Sequence, residues 1–306
     1  MPAWEELWLR SYQNILQRSY SALEILMDLF KIRQSILLIF TGIMGYLIAS
    51  GARADPLVLG YLVLSLALTI FGTTGVNMAL DSDIDGVMSR TRRRAIPRGA
   101  ISRRRALAVS QVLLVAGLWV AIMINFWVFI AGLLGFLIDI PIYTILTKRR
   151  TWTSVIYGGF AGGMPAFGGY MAYIGHPNPE SLVLLLIVAL WSNAHIWYIV
   201  SYNREDYEKA GIPMLPIVKG VRAGVMGSIM HTILMLALVA IYFILTGYRA
   251  WITLIVGSAL SIRLLTIMWS HLKGVSKRDA YKIFKVLSPY LAIIFILMLI
   301  DRILGI

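Results

Sequence analysis

Cysteine is absent from the 306 residues, which excludes disulfides, thiolate metal sites and a cysteine nucleophile. Charge is scarce too: Asp, Glu, Lys and Arg make up 14% of the chain, against roughly a quarter in a soluble domain. Acidic residues are the scarcer kind, 15 against 28 Lys and Arg, for a formal net charge of +13. The sequence contains no HExxH, Walker loop, GxSxG or strand-linked GxGxxG signature. These shortages rule out a water-soluble enzyme of those classes and a disordered chain. Apolar residues fill the space instead, at 59%, with mean hydropathy +0.77. In a soluble protein, +13 would suggest a nucleic-acid partner. Here the basic residues lie between long apolar runs, where they set membrane orientation. The chain reads as a polytopic protein of the lipid bilayer with no nucleic-acid role.

Residues 1–30 form an amphipathic N-terminal segment, with Leu7, Leu9, Ile15, Leu16, Leu23 and Leu26 at helical spacing. Residues 31–306 form one all-α domain. Its apolar runs each approach the roughly 20 residues needed to cross a hydrocarbon core. The spans cover 32–50, 57–80, 106–124, 126–146, 155–174, 182–201, 225–245, 251–272 and 284–300. With the N-terminus in the cytoplasm, 24 of the 28 Lys and Arg fall on the inner side. That alternation selects nine spans and a plasma-membrane protein whose long polar loops, and any active site, face the cytoplasm.

The most informative stretch is Asn77-Met-Ala-Leu-Asp81-Ser-Asp83-Ile-Asp85. Asn77, Asp81 and Asp85 recur every fourth residue, so on a continuous helix they share one face. Three oxygen-bearing side chains stacked there repel one another unless a cation lies between them. Hard oxygen ligands suit Mg²⁺, which keeps waters and bridges to substrate phosphates. The run Arg90-Thr-Arg-Arg-Arg94 follows directly. Topogenic charge accounts for part of it. Carboxylate-held metal and guanidinium forks can also clamp opposite sides of one diphosphate, as a leaving diphosphate requires.

A second constellation follows the sixth span: His195-Ile-Trp197, then Asn203-Arg-Glu-Asp206-Tyr207. It reads as a weak internal repeat, Asn77 corresponding to Asn203 and Asp81 to Tyr207, and as the other wall of the same site. A proline-stiffened segment leads from there to Lys219. Tyr143 lies near the inner end of the fourth span, and Lys148 just beyond it can reach a diphosphate. Gly158, Gly159, Gly162, Gly163, Gly168 and Gly169 thin the fifth span. They serve either close helix packing or room for a bulky substrate. Asp139 and Arg263 are ionisable groups within spans, costly unless paired or hydrated.

Asn77–Asp85 matches the NxxxDxxxD motif, and the chain thereby resembles the UbiA superfamily of intramembrane prenyltransferases. Asp83-Ile-Asp85-Gly-Val-Met-Ser-Arg90-Thr-Arg-Arg-Arg94, Tyr143-Thr through Lys148-Arg-Arg-Thr151, and Asp206-Tyr207…Lys219 are similar to its heme-farnesylating branch, the protoheme IX farnesyltransferases. The resemblance runs from about Lys31 to the C-terminus. The chain departs from it at Asn193-Ala-His195-Ile-Trp197, where that branch has Pro-Pro-His-Phe-Trp, and at Ala95, where a proline is usual. What the resemblance implies is nine helices around a central cavity capped by cytoplasmic loops. It implies Mg²⁺-dependent ionisation of farnesyl diphosphate and capture of the carbocation by protoheme IX. In those roles Asn77, Asp81, Asp85 and Asp206 hold metal. Arg90, Arg94 and Lys148 bind the diphosphate, Tyr143, Asn203 and Lys219 bind substrate, and His195 contacts the acceptor or its iron. Quinone precursors, chlorophyllides and lipid glycerols are acceptors elsewhere in the superfamily. A transporter is the reading from another class, although its site belongs nearer mid-membrane.

Overall fold

The structure, a computed structural model, describes residues 21–305. Most of the amphipathic segment expected over 1–30 lies outside the described residues. Its last part is the helix α1 (Ala22–Leu29), opened by a capping box between Ser21 and Glu24. Beyond it every described element is helical, which bears out the all-α expectation.

Several of the long helices begin where a side chain satisfies free backbone N–H groups. α2 (Ile32–Ser50) is followed by α3 (Pro56–Leu80), whose Asp55 cap accepts from Leu57 and Val58 and whose first residue is proline. α4 (Ser82–Val87) follows after a single residue. Ser102 caps α5 (Arg103–Ile124), and Asn125 caps α6 (Phe126–Leu137). α6 runs on as a π-helix over Ile138–Thr147, with Pro141 inside it. α7 (Ser154–Ile174), α8 (Pro179–Tyr202), α9 (Arg204–Lys209), α10 (Leu215–Val218) and α11 (Val221–Leu245) come next. A π-turn over Thr253–Gly257 leads into α12 (Ser258–Ser270), and α13 (Lys277–Leu304) closes the chain.

Eight helical segments among the described residues are long and apolar enough to cross a membrane. The expected fifth span, α7, is not one of them. Six glycines and Pro165 dilute the hydropathy of its 21 residues. The protein is a multi-pass membrane protein, with eight such spans and one full-length glycine-rich helix packed among them in the described residues.

The two uses weighed for those glycines fall on two faces of α7. A Cβ at Gly159 would sit 2.7 Å from the Ala189 carbonyl oxygen, at Gly163 2.5 Å from that of Leu185, and at Gly169 1.9 Å from that of Gly42. Backbone contact at those distances admits only glycine, and it seats α7 against α8 and α2. A Cβ at Gly162 would meet nothing within 4 Å, and at Gly158 only the Tyr143 ring at 3.4 Å. Both of these line a central cavity.

Candidate active site

The cavity holds about 610 Å³, with Lys31, Arg33, Arg90, Arg94 and Lys148 gathered in its lining. From Asn77 to Leu62, both in its wall, α3 advances fifteen residues, about 22 Å. Its deep part is mostly apolar, with Leu66 and Ile70 on α3, Ala131 and Gly132 on α6, and Gly162 and Gly168 on α7, while the Ser65 and Thr69 hydroxyls that also line it are spent on backbone carbonyls. A second flank lies between α8 and α13, at Trp191, His195 and Phe284.

At the mouth, α3 stops on Asp81 and α4 starts on the next residue. The backbone keeps its four-residue step through the break: Asp81 N–H donates to Asn77 and Asp85 N–H to Asp81, both at 2.9 Å. Asn77, Asp81 and Asp85 therefore stay on one face, as the spacing predicts. All three line the cavity and are buried, at 7%, 4% and 5% exposure.

Each of these three groups meets a cation. Lys148 pairs with Asp81, and an Arg94 nitrogen lies 2.8 and 2.7 Å from the two Asp85 oxygens. Lys31 donates to the Asn77 Oδ1 at 3.0 Å. Three partly buried cations so close together repel. Burial first, then Arg94 and Lys148, push the Lys31 pKa down to about 8. Burial also acts against the charge of Lys148, but the acidic neighbours Tyr143 and Asp81 outweigh it and raise its proton affinity above that of ordinary lysine. One oxygen stays free: Asp81 Oδ1 is buried and has no hydrogen-bond partner.

Just outside the cavity, Arg149 forks onto Asp83 at 2.7 and 2.8 Å, and this bond holds the exposed Asp83 carboxyl below its usual range. The Ala95 N–H donates to the Asp28 carboxylate, tying α1 to the arginine loop. A proline at 95 has no N–H to give, so this bond accounts for the departure there.

The second constellation contributes less to the cavity. Asp206, expected on the opposite wall of the metal site, does not line it. Its two oxygens accept from the backbone N–H groups of Ser89 and Arg90, both at 3.1 Å. Those bonds outweigh its partial burial and hold the Asp206 carboxyl below its usual value. Asn203 donates to Ile199 of its own helix at 3.0 Å, and Lys219 sits 4.4 Å over the Trp152 ring. Neither reaches the cavity. Tyr207 does, packed with Ile84, Met88 and Met214 under the loop.

Tyr143 lines the wall with Lys148 Nζ 5.5 Å from its ring centre, and Arg90 reaches the mouth. His195 is clamped on the second flank by Trp191, stacked at 4.9 Å, and Phe284 at 4.7 Å. Its Nδ1 is buried without a hydrogen-bond partner. Asp139 lines the cavity as well, whereas Arg263 is exposed.

Two residues of the site escaped the sequence reading. Lys31 looked like one more inner-side charge; its place immediately before the first span was the available signal. Thr144, 3% exposed, accepts from Asn77 Nδ2 at 2.9 Å. Nothing in sequence spacing brings it to Asn77, because they lie on different helices.

Among the described residues no three of His, Asp or Glu form a ready-made metal cage. Two carboxylates and one carboxamide gather instead, with one buried oxygen unclaimed. That donor set fits Mg²⁺, which takes one or two carboxylates and completes its shell from water and substrate phosphate.

The chain belongs to the UbiA prenyltransferase family, whose pattern matches residues 38–297. It is therefore a membrane-embedded prenyltransferase. It is 42% identical over 279 residues to a protoheme IX farnesyltransferase of Thermofilum pendens, covering 89% of this chain and 96% of that one. A bacterial protoheme IX farnesyltransferase, from Hahella chejuensis, is 32% identical with 90% and 92% covered. A solved structure of digeranylgeranylglyceryl phosphate synthase superposes with TM-score 0.77 at 23% identity, covering 92% of this chain and 98% of that one. A UbiA homologue from Archaeoglobus fulgidus, bound to GPP and Mg²⁺, does so with TM-score 0.72 at 17% identity, covering 90% and 99%.

Proposed function

We propose that the protein transfers the farnesyl group of farnesyl diphosphate to protoheme IX, yielding heme O. The observation that carries this is one cavity joining three features: an acid-and-base mouth, a long apolar arm, and a flank presenting an aromatic-clamped histidine. Relatives named protoheme IX farnesyltransferase in archaea and bacteria support the choice of donor and acceptor.

Asn77, Asp81 and Asp85 would hold Mg²⁺, which when bound supplies positive charge to the diphosphate oxygens. Lys31, Arg90, Arg94 and Lys148 grip the same oxygens. Asp81 keeps Lys148 pointed at the mouth until substrate arrives, Asp85 does the same for Arg94, and the Asn77 amide for Lys31. Ionisation concentrates negative charge on the departing diphosphate, so fixed cations stabilise the transition state more than the ground state. The farnesyl chain lies along Ile70, Leu66, Gly162 and Gly168, where the absence of water protects the allylic cation from hydrolysis. The Tyr143 ring, between mouth and arm, stabilises that cation through its π face. The acceptor vinyl carbon captures it, and water completes the hydroxyethylfarnesyl side chain. His195, held flat by Trp191 and Phe284, orients the porphyrin from its free ring nitrogen. The latch from Asp206 to Ser89 and Arg90 closes the loops above.

Inner-side charge supports a plasma-membrane location with this mouth facing the cytoplasm. The test is to supply the purified full chain in nanodiscs with Mg²⁺, farnesyl diphosphate and protoheme. The expected product is heavier than protoheme by one farnesyl group and one hydroxyl, the proton of the added water being lost, and EDTA abolishes it. Farnesylation of a quinone precursor or a lipid glycerol, with protoheme untouched, overturns the acceptor. Solute flux without diphosphate release overturns the enzyme reading.

A further inference from the structure

Asn77 offers the cavity either of two faces: a carbonyl oxygen that can bind a cation or an NH₂ group that cannot. Which one is presented depends on its neighbours, and two of them leave no choice. Lys31 carries three donors and no acceptor, so the atom facing it at 3.0 Å must be Oδ1. On the other side the hydroxyl of Thr144 has a single proton, already donated to the Asp139 backbone carbonyl at 2.7 Å. Towards Asn77 that hydroxyl can only accept, and Nδ2 donates to it at 2.9 Å.

The local helix puts that hydroxyl where it is needed. Pro141 has no N–H to complete an α-helical turn, and the segment Ile138–Thr147 winds as a π-helix. Lys148 N–H reaches back five residues to the Tyr143 carbonyl, at 2.8 Å. Thr144 and Thr147 each send their hydroxyl proton to the carbonyl five residues earlier, Asp139 and Ile142. Single π-turns in helices recur at functional sites. This one sets both Thr144 against Asn77 and Lys148 against Asp81.

We infer that Thr144 is a positioning residue: its hydroxyl, committed as a donor to the Asp139 carbonyl, locks the Asn77 amide with Oδ1 towards the cavity as a cation ligand. The inference rests on the metal-diphosphate reading above and adds the outer group that orients one of its ligands. Such groups typically control metal affinity by 10- to 100-fold.

The test uses the full chain in nanodiscs, with Mn²⁺ as a spin-active probe and the non-ionising analogue farnesyl S-thiolodiphosphate. Mn²⁺ binding is read by electron paramagnetic resonance, so no turnover is needed. Thr144→Val keeps the shape and removes the hydroxyl; the expected result is about 10-fold weaker Mn²⁺ binding. Thr144→Ser keeps the hydroxyl and binds within about threefold of the unaltered protein. Thr144→Ala repeats the hydroxyl deletion should the valine variant fail to insert. In an Asn77→Asp background both side-chain ends are oxygens and there is no face to select, so adding Thr144→Val weakens binding no further. Equal Mn²⁺ affinity in Thr144→Val and the unaltered protein overturns the inference while leaving the metal site standing. No Mn²⁺ binding by the unaltered protein, even with the analogue, overturns the metal-diphosphate reading and this inference with it.

Discussion

α3 and α8 end alike, on a polar residue followed at once by a short helix. Asp81 precedes α4 at Ser82, and Asn203 precedes α9 at Arg204. The shared break sets the register between the two halves. It pairs Asp81 with Asn203 and Asp85 with Tyr207, one helical turn away from the alignment that matches Asn77 to Asn203. In the first half the oxygens point inward, and a cation meets each group. In the second half the corresponding asparagine caps its own helix, and a tyrosine replaces the carboxylate. Of the acids in the second loop, Asp206 reaches over to hold the backbone of the first. On the proposed function, similar loops divide the labour, chemistry on one and closure on the other.

The strongest test sets the paired positions side by side. Asp81→Asn removes a cavity carboxylate of nearly unchanged volume and is expected to lower kcat by about 10³-fold or more. Asn203→Ala removes only a bond within α8, and kcat stays within about threefold of the unaltered enzyme. Steady-state turnover of farnesyl diphosphate measures both. Equal losses would return the second loop to the chemistry.

Lys31 belongs with the first half, and its depressed pKa makes the assignment testable by pH. Its ammonium is charged below about 8 and neutral above it, so kcat/KM for the donor falls as pH rises through about 8. The profile reports the free enzyme. Lys31→Arg keeps the charge across that range and removes this alkaline limb. Lys31→Met lowers kcat/KM by about 10²-fold at pH 7. A limb that persists in Lys31→Arg belongs to another group.

The mouth could be read from the chain because its pattern is local: Asn77, Asp81 and Asp85 follow from a four-residue step, and the step survives the break at Asp81. Asp206 could not be placed the same way, because an acidic residue in a loop looks the same whether it binds a cation or two backbone amides. Lys31 and Thr144 stayed hidden because their partners lie on other helices. The glycines of α7 were visible as a group, but not which of them faced a neighbour and which faced empty space. All nine long helices were legible from the sequence; what it overstated was the apolarity of α7, where close packing demands glycine and leaves the helix less apolar than the eight spans described.

That split on α7 extends the division from loops to wall. Gly162→Leu adds bulk only to the cavity and is expected to swing the ratio of kcat/KM for farnesyl over geranyl diphosphate about 10-fold towards the shorter donor. Gly163→Ala meets the Leu185 carbonyl oxygen at 2.5 Å. It leaves that ratio alone and lowers the melting temperature, in keeping with an overpacking cost of about 1–3 kcal/mol. If Gly162→Leu changes stability but not chain-length preference, the prenyl arm lies elsewhere.

The smallest effect belongs to the latch. Asp206→Ala removes two bonds from a loop at the protein surface, so kcat/KM is expected to fall by only about threefold at pH 7. Hydrogen exchange at the Ser89 and Arg90 amides should quicken, since those N–H groups lose their acceptors. The sign with pH follows from the lowered carboxyl pKa. The ionised latch is intact at and above the ordinary carboxylate range, and it loosens only as pH falls through the depressed value. Asp206→Asn keeps one carbonyl oxygen and lies between the two. A 10³-fold loss in Asp206→Ala, with exchange at Ser89 and Arg90 unchanged, would put this carboxylate on the metal after all. The two loops would then share the chemistry, despite the different partners their acids hold when the site is closed.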